Sequence, residues 1–453
     1  MPQAAINAII HPEGRLAARV RPVIMSLHTP DFPGRLSVPT ISSLLAIPLL
    51  LTTPLIAADN WPMWRGGHLD GVSREAGPFP IRWSADQNIA WKTAIPGVGH
   101  SSPIVWGDRI FVTSCLENQN NNADRVLICL NRTDGKMIWQ KAVLSAPHER
   151  KHKLNSYASS TPATDGKYVY VTFLDHPKII VACYDFEGNQ KWRSCAGKFN
   201  SPHGFCSSPI LYQNLLIVNC DQDNQPAFIV AYNKVDGDEV YRIDRPNRVR
   251  SYCVPLIVEA AGKTQMVLTG SKCVASYDPA TGKQYWLIDG PTEQFVASAV
   301  YTDDTFIITG GFPEHHILGI KPDGEGNVTS SHILWRTTRN TSYVPSPIAH
   351  RGLFYIVSDE GFASCYEPKT GKMLWNERLC RHTSASLTAA GDYVYFLDDF
   401  GTCYVVRAGR TLEVVAKNKL NEECYASPAL SGGQIFIRGV NHLYCIGNGS
   451  TKR

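Results

Sequence analysis

The chain of 453 residues has no cysteine before Cys115, no two adjacent cysteines and no pair spaced Cys-x-x-Cys. A lipid-carrying cysteine behind a leader, a haem attachment site and a paired-thiol metal site therefore drop out. No long stretch keeps helical periodicity, which argues against a helical or mixed fold. Phosphate loops, dinucleotide fingerprints and Ser-His-Asp motifs are missing as well, so nothing points to nucleotide chemistry or serine hydrolysis. Excess charge is also scarce. The net charge is +4, and without residues 1–58 the chain carries 40 basic against 38 acidic residues. Nucleic acid and anionic membranes are usually met by a clustered basic face, so neither is an expected partner. The one dense basic run, His148-Glu149-Arg150-Lys151-His152-Lys153, reads as a solvated loop.

An apolar run long enough to span a bilayer is missing too. Ile41 to Ile56 is uncharged for 16 residues but holds Pro48 and Pro54, and it falls short of the roughly 20 residues a span needs. Arginines precede it and Ala57-Ala58 follow it, the pattern of a cleaved signal peptide. An exported product, periplasmic or secreted and without a membrane span after signal removal, is expected. Met25 would give the leader a more usual length.

Thirteen cysteines are an odd number, so they cannot all pair within one chain. Cys129, Cys183, Cys365 and Cys445 recur at one point of four repeats, within apolar strands. That placement fits small buried hydrophobes better than bridges.

What the sequence does have is a repeat. A Ser-Pro-like start, two short apolar strands, and a Gly followed four residues later by an aromatic recur from 89 to 448. The starts are Ser102-Pro103, Thr161-Pro162, Ser208-Pro209, Val254-Pro255, Ser298-Ala299, Ser346-Pro347, Ser386-Leu387 and Ser427-Pro428. Eight units over this span give about 45 residues each, the size of a four-stranded propeller blade. Strands such as Tyr168-Val169-Tyr170-Val171-Thr172 are β-branched and aromatic, and the turns between them carry Gly, Asp and Asn. The interval of four holds in Gly135/Trp139, Gly188/Trp192, Gly237/Tyr241, Gly282/Trp286 and Gly371/Trp375. Its expected role is to place a large ring in the wedge between blades, with the glycine making the turn before it. Residues 323–331 stretch the interval in the fifth unit, and the seventh has Gly409 but no aromatic. The eighth unit stops one strand short, while Ile89-Ala90-Trp91-Lys92 resembles that missing strand.

The expected fold is all-β: an eight-bladed β-propeller of four-stranded blades, closed by N-terminal strand pairing in the last blade. The expected organisation is a leader over 1–58, an N-terminal extension over 59–88, the propeller over 89–448 and a tail over 449–453.

The stretches Tyr277-Asp278-Pro279-Ala280-Thr281-Gly282-Lys283-Gln284-Tyr285-Trp286 and Tyr366-Glu367-Pro368-Lys369-Thr370-Gly371-Lys372-Met373-Leu374-Trp375 resemble the pyrroloquinoline-quinone (PQQ)-like repeat propellers. Asn60-Trp61-Pro62-Met63-Trp64-Arg65-Gly66 and Asp70-Gly71-Val72-Ser73 are similar to the opening of many exported bacterial members. The resemblance implies one of two functions. One is a scaffold, like the lipoprotein that helps assemble outer-membrane proteins. The other is a quinone-dependent dehydrogenase of alcohols or sugars, using PQQ with calcium. Larger members of the second kind typically carry two adjacent cysteines, which this chain lacks.

Loops entering the innermost strands crowd one channel mouth, where ligand sites form. Before the eight starts lie His100, Asn155 with Ser156, His203, Arg250, Glu293 with Gln294, Ser342, Arg381 with His382, and Glu423. This prospective ring suits a small anionic ligand or a peptide carboxylate. His100, His203 and His382 come from blades one, three and seven, so no metal is expected. His315-His316 reads as an exposed loop pair. The first functional reading is a monomeric, non-catalytic binding or scaffold module that needs no cofactor and meets an envelope protein, peptide or small anion at the channel face. The alternative is the quinoprotein oxidoreductase.

Overall fold

The computed structural model describes residues 60–118 and 122–447. The expected leader and the tail 449–453 lie outside them. Eight sheets, each built on four antiparallel strands, follow in chain order. The first comprises Ile104–Trp106, Arg109–Glu117, Asn122–Asn131 and Met137–Pro147. The last combines Ala429–Ser431, Gln434–Arg438 and His442–Ile446 with Ile89–Ala94 from the other end of the chain. There Trp91 pairs with Cys445 and Ala94 with His442, so the ring closes as the sequence predicts. In the middle strands of a blade almost every residue is buried, as in Ile110 to Cys115 and Ile179 to Tyr184. Both sheet faces stack on neighbouring blades, which is why these strands read as continuous apolar runs rather than alternating ones.

The Gly-aromatic interval has a packing cause that spans two blades. Each ring lies on the outer turn of the next blade. Trp91 Nε1 donates to the Arg132 carbonyl at 2.8 Å, Trp139 Nε1 to Phe186 at 2.8 Å, Trp192 Nε1 to Lys234 at 3.1 Å and Trp335 Nε1 to Pro368 at 2.7 Å. The turn glycine is what the ring rests on. Gly237 has φ near 79°, and a Cβ there would stand 2.6 Å from the Trp192 ring. Opposite each ring sits a small or slim residue: Cys129 faces Trp139, Cys183 faces Trp192, Cys365 faces Trp375, and Gly319 faces Trp335. The four recurrent cysteines are thus buried thiols that leave room for an indole.

Two irregular units are completed from elsewhere. Gly326–Asn327, within the fifth unit's insertion, pairs in parallel with the outer strand of blade four. It leaves Trp286 fully buried. Blade seven lacks a ring, and its wedge is filled by the N-terminal extension: Trp83 stacks on Tyr395 at 6.4 Å, and its backbone N–H donates to Asn418 Oδ1 at 3.0 Å. One expectation is corrected. His316 is buried, not exposed, because it opens the third strand of blade five opposite Gly310, and Arg336 Nη2 lies 3.0 Å from its Nδ1.

The start of the extension forms a strap across the far ends of the innermost strands. Trp61 exchanges backbone hydrogen bonds with Val105 in blade one, and Pro62 accepts from Thr164 in blade two. Val72–Ser73 then pairs with Thr388–Ala390 in blade seven, and the Glu75 carboxylate receives the N–H groups of Gly432 and Gly433 in blade eight.

Candidate functional site

Each innermost strand is entered from the mouth opposite the strap, and side chains alternate along the approach. Two tiers therefore face the axis. The upper holds the residues two before each start: His100, Ser159, Cys206, Tyr252, Val296, Val344, Ser384 and Tyr425. The lower holds starts themselves, including Ser102, Thr161, Ser208, Val254, Ser346, Ser386 and Ser427, with Trp64 of the strap beneath. Above the tiers the well widens to a cavity of about 370 Å³, reached also by His152, Leu154, Asn155, His203, Gln294, Tyr343 and Asp359. The result is a blind well with aromatic walls.

The Ser-Pro start now has a structural meaning. Its hydroxyl accepts the backbone N–H of the preceding blade's start: Ser102 N–H to Thr161 Oγ1, Thr161 N–H to Ser208 Oγ, Ser346 N–H to Ser386 Oγ and Ser386 N–H to Ser427 Oγ, each at 2.9 Å. These links bind blade to blade around the axis. At Val254 the side chain has no oxygen to offer.

Of the residues picked from sequence, His100, Asn155, His203 and Gln294 line the well. The His100 ring packs on Tyr425 with centroids 4.8 Å apart, and its Nδ1 lies 3.2 Å from the Leu154 carbonyl. Burial, reinforced by Arg438, lowers its pKa to about 4, so the imidazole is neutral at pH 7. Its Nδ1 then carries the proton. Asn155 is a local brace: it donates to the His203 carbonyl at 2.7 Å and accepts from Ser156 N–H and the Ser159 hydroxyl. His203 Nδ1 meets the Tyr252 hydroxyl at 3.0 Å, and burial followed by Arg250 lowers its pKa. Gln294 donates to the Tyr343 hydroxyl. Asp359 accepts the N–H groups of Tyr343 and Val344, yet burial outweighs them and raises its pKa.

The other four stand outside the well's lining. Arg250 is ion-paired with Asp223 at 2.9 Å. Ser342 is fully buried, its hydroxyl donating to Pro345. His382 Nδ1 meets Asp399 at 2.6 Å, and the same carboxylate takes the Ser384 N–H and hydroxyl. Glu423 is exposed and accepts from Tyr425. The basic run also departs from a plain solvated loop. Its Glu149 is buried against Arg125 at 2.6 Å, and His152 enters the well. Sequence reasoning missed Ser159, Cys206, Tyr252, Val296, Val344, Ser384 and Tyr425. Counting back two residues from every start, a strand's own period, would have found them all.

The donor set does not fit PQQ with calcium. Asp359 is the well's one carboxylate, and both its oxygens serve backbone N–H groups. Cys206 is its one thiol, and burial lifts that to about 12.

Among solved structures, the chain resembles BamB from Moraxella catarrhalis, at 10% identity over 80% of this chain and 99% of that one, with a TM-score of 0.54. It also resembles the quinohemoprotein alcohol dehydrogenase from Comamonas testosteroni, at 13% identity over 87% and 81%, TM-score 0.61. A europium-containing methanol dehydrogenase follows, at 10% identity over 85% and 90%, TM-score 0.51. Such identities establish the shared propeller fold and nothing of the chemistry. No curated protein matches the chain. A family model described as outer membrane protein assembly factor BamB matches residues 81–173, 123–377 and 327–419, and with its eight blades and their recurrent start the chain belongs to this PQQ-like repeat propeller family.

Proposed function

We propose that the chain is a non-catalytic binding module working outside the cytoplasm, which takes a segment of an envelope protein or peptide into the well. The observation that carries this reading is the well itself: Tyr252, Tyr343, Tyr425 and two neutral-leaning histidines surround an axis stopped from below by Trp64. Such a lining rewards burial of an apolar or aromatic tip and offers no activated nucleophile. The family description, an assembly factor of the outer membrane, supports an envelope partner. Among the described residues no helix is long and apolar enough to cross a membrane.

A photo-crosslinking amino acid in place of Tyr343 tests the reading in cells, with the adduct identified by mass spectrometry. Val296→Trp, which fills the well, should abolish that adduct. An adduct indifferent to Val296→Trp would refute the well as the site. Turnover of an alcohol or sugar by purified protein given PQQ, calcium and a dye acceptor would refute the non-catalytic assignment and favour the oxidoreductase.

A further inference from the structure

The lower tier holds hydrogen-bonding capacity that the fold does not use. Thr161, Ser208, Ser346, Ser386 and Ser427 each accept one backbone N–H from the adjoining blade. A hydroxyl has two lone pairs and one proton, so each keeps an O–H to give. Among the described residues none of these five hydroxyls donates a hydrogen bond to the protein. All five side chains are more than nine-tenths buried, and all face the same narrow cavity of about 130 Å³. A collar of converging donors is the inverse of a cation site.

The charge around the collar has the matching sign. Arg438 is fully buried and forms no ion pair among the described residues. Its Nη1 donates to Ser101 Oγ at 2.8 Å and to the Thr113 carbonyl, while Nε and Nη2 have no partner. Arg65 is buried as deeply. Its Nη2 serves the Asp70 and Pro347 carbonyls, its Nε and Nη1 have no partner, and its guanidinium lies 5.6 Å from the Trp64 ring. The Asp70 carboxylate is engaged with Arg74 at 2.6 Å. Ser101 precedes Ser102 and Pro347 follows Ser346, so both guanidinium groups are anchored one residue from the collar tier. Arg438 is thus a buried cation without a counter-charge, while Arg65 shares the field of Asp70 with Arg74; a buried positive charge is costly, and its field is little screened in a low-dielectric channel.

We infer that the collar is an anion subsite at the base of the well, built to receive the carboxylate of a ligand that enters by the open mouth. This rests on the well being the binding site. The carboxylate can come from a free small acid or from an acidic residue of the partner segment, and the chemistry of capture is the same.

Crystals of the protein soaked in bromide test the subsite without any variant: an anomalous peak is expected on the axis among Thr161, Ser208, Ser346, Ser386 and Ser427. Calorimetry with acetate should show saturable binding that bromide competes away. Ser386→Ala should weaken acetate about tenfold, the loss of one charge-assisted hydrogen bond, and Ser386→Thr should keep it. A short peptide bearing one glutamate, compared with its glutamine counterpart, separates the sources. Binding tenfold tighter than acetate and lost with glutamine assigns the subsite to the partner's carboxylate, whereas equal affinities assign it to a free acid. A collar holding only water in the bromide soak, or acetate affinity unchanged by Ser386→Ala in a folded protein, overturns the inference. The adduct at position 343 would survive that result, so the two readings fail separately.

Discussion

Acidification places a calculable load on His100. Its pKa falls from 6.5 in the unfolded chain to about 4 in the folded one, chiefly by burial and next by Arg438, against the opposing pull of the Leu154 carbonyl. Between those values the unfolded chain takes up a proton that the folded chain refuses, so stability present in full above pH 6.5 drains away as pH falls towards 4. At 1.36 kcal/mol per unit, the loss below pH 4 is about 3 kcal/mol from this residue alone. His203, His316 and His350 are lowered in the same direction, so the comparison must be with a variant. His100→Gln removes the titration while keeping a side-chain donor for Leu154. Urea unfolding of the two proteins at intervals from pH 7 to 4 should give curves that converge by about 3 kcal/mol on the acid side. Histidine-selective NMR should find an imidazole neutral at pH 5 whose signal is absent from the variant. Parallel stability curves, or a His100 signal titrating near 6.5, would refute the argument.

Gly237→Ala should lower the melting temperature by the equivalent of about 2 kcal/mol, because the new methyl collides with the Trp192 ring at a residue of positive φ; a neutral effect would break the proposed link between blades. Trp83→Ala should cost about 3–5 kcal/mol, and hydrogen exchange should rise first in Val414–Lys419, the outer strand of blade seven. Asp221→Asn strands the buried Arg245, held at 3.0 Å, and should cost a similar 3–5 kcal/mol, read as a melting shift insensitive to salt. Iodoacetamide at pH 8 should label exposed Cys195 and leave Cys206 intact in peptide maps, since burial lifts the Cys206 thiol to about 12 and leaves about one molecule in ten thousand as thiolate.

The propeller was legible because its signals are local and repeated. Gly and an aromatic residue four apart mark every ordinary outer strand, and Ile89 to Lys92 stands out as a strand without a blade. The purpose of the interval was not legible, since Gly237 serves Trp192 of the preceding blade rather than Tyr241 of its own. The candidate site was half legible for a similar reason. Apart from His100, the polar residues that stood out lie four to six before the starts, yet the axis belongs to those two before, and Val296 and Val344 carry no chemical flag. Trp64 lay furthest from reach: it sits ahead of every repeat, and only the closed ring brings it beneath the channel. His316 misled because its neighbour His315 is exposed while it is itself the first residue of a buried strand.

The strap also sets the order in which the protein can be finished. Trp83 waits for Asn418, 335 residues further along, and Glu75 waits for Gly432 and Gly433. The extension, which precedes every blade in the chain, thus docks on the seventh and eighth of them. Early blades must stand with their open edges unsatisfied until blade eight is made. Contacts of such separation slow folding and lengthen exposure to mispairing, so a holding factor during synthesis, rather than greater final stability, is what this topology asks of the cell.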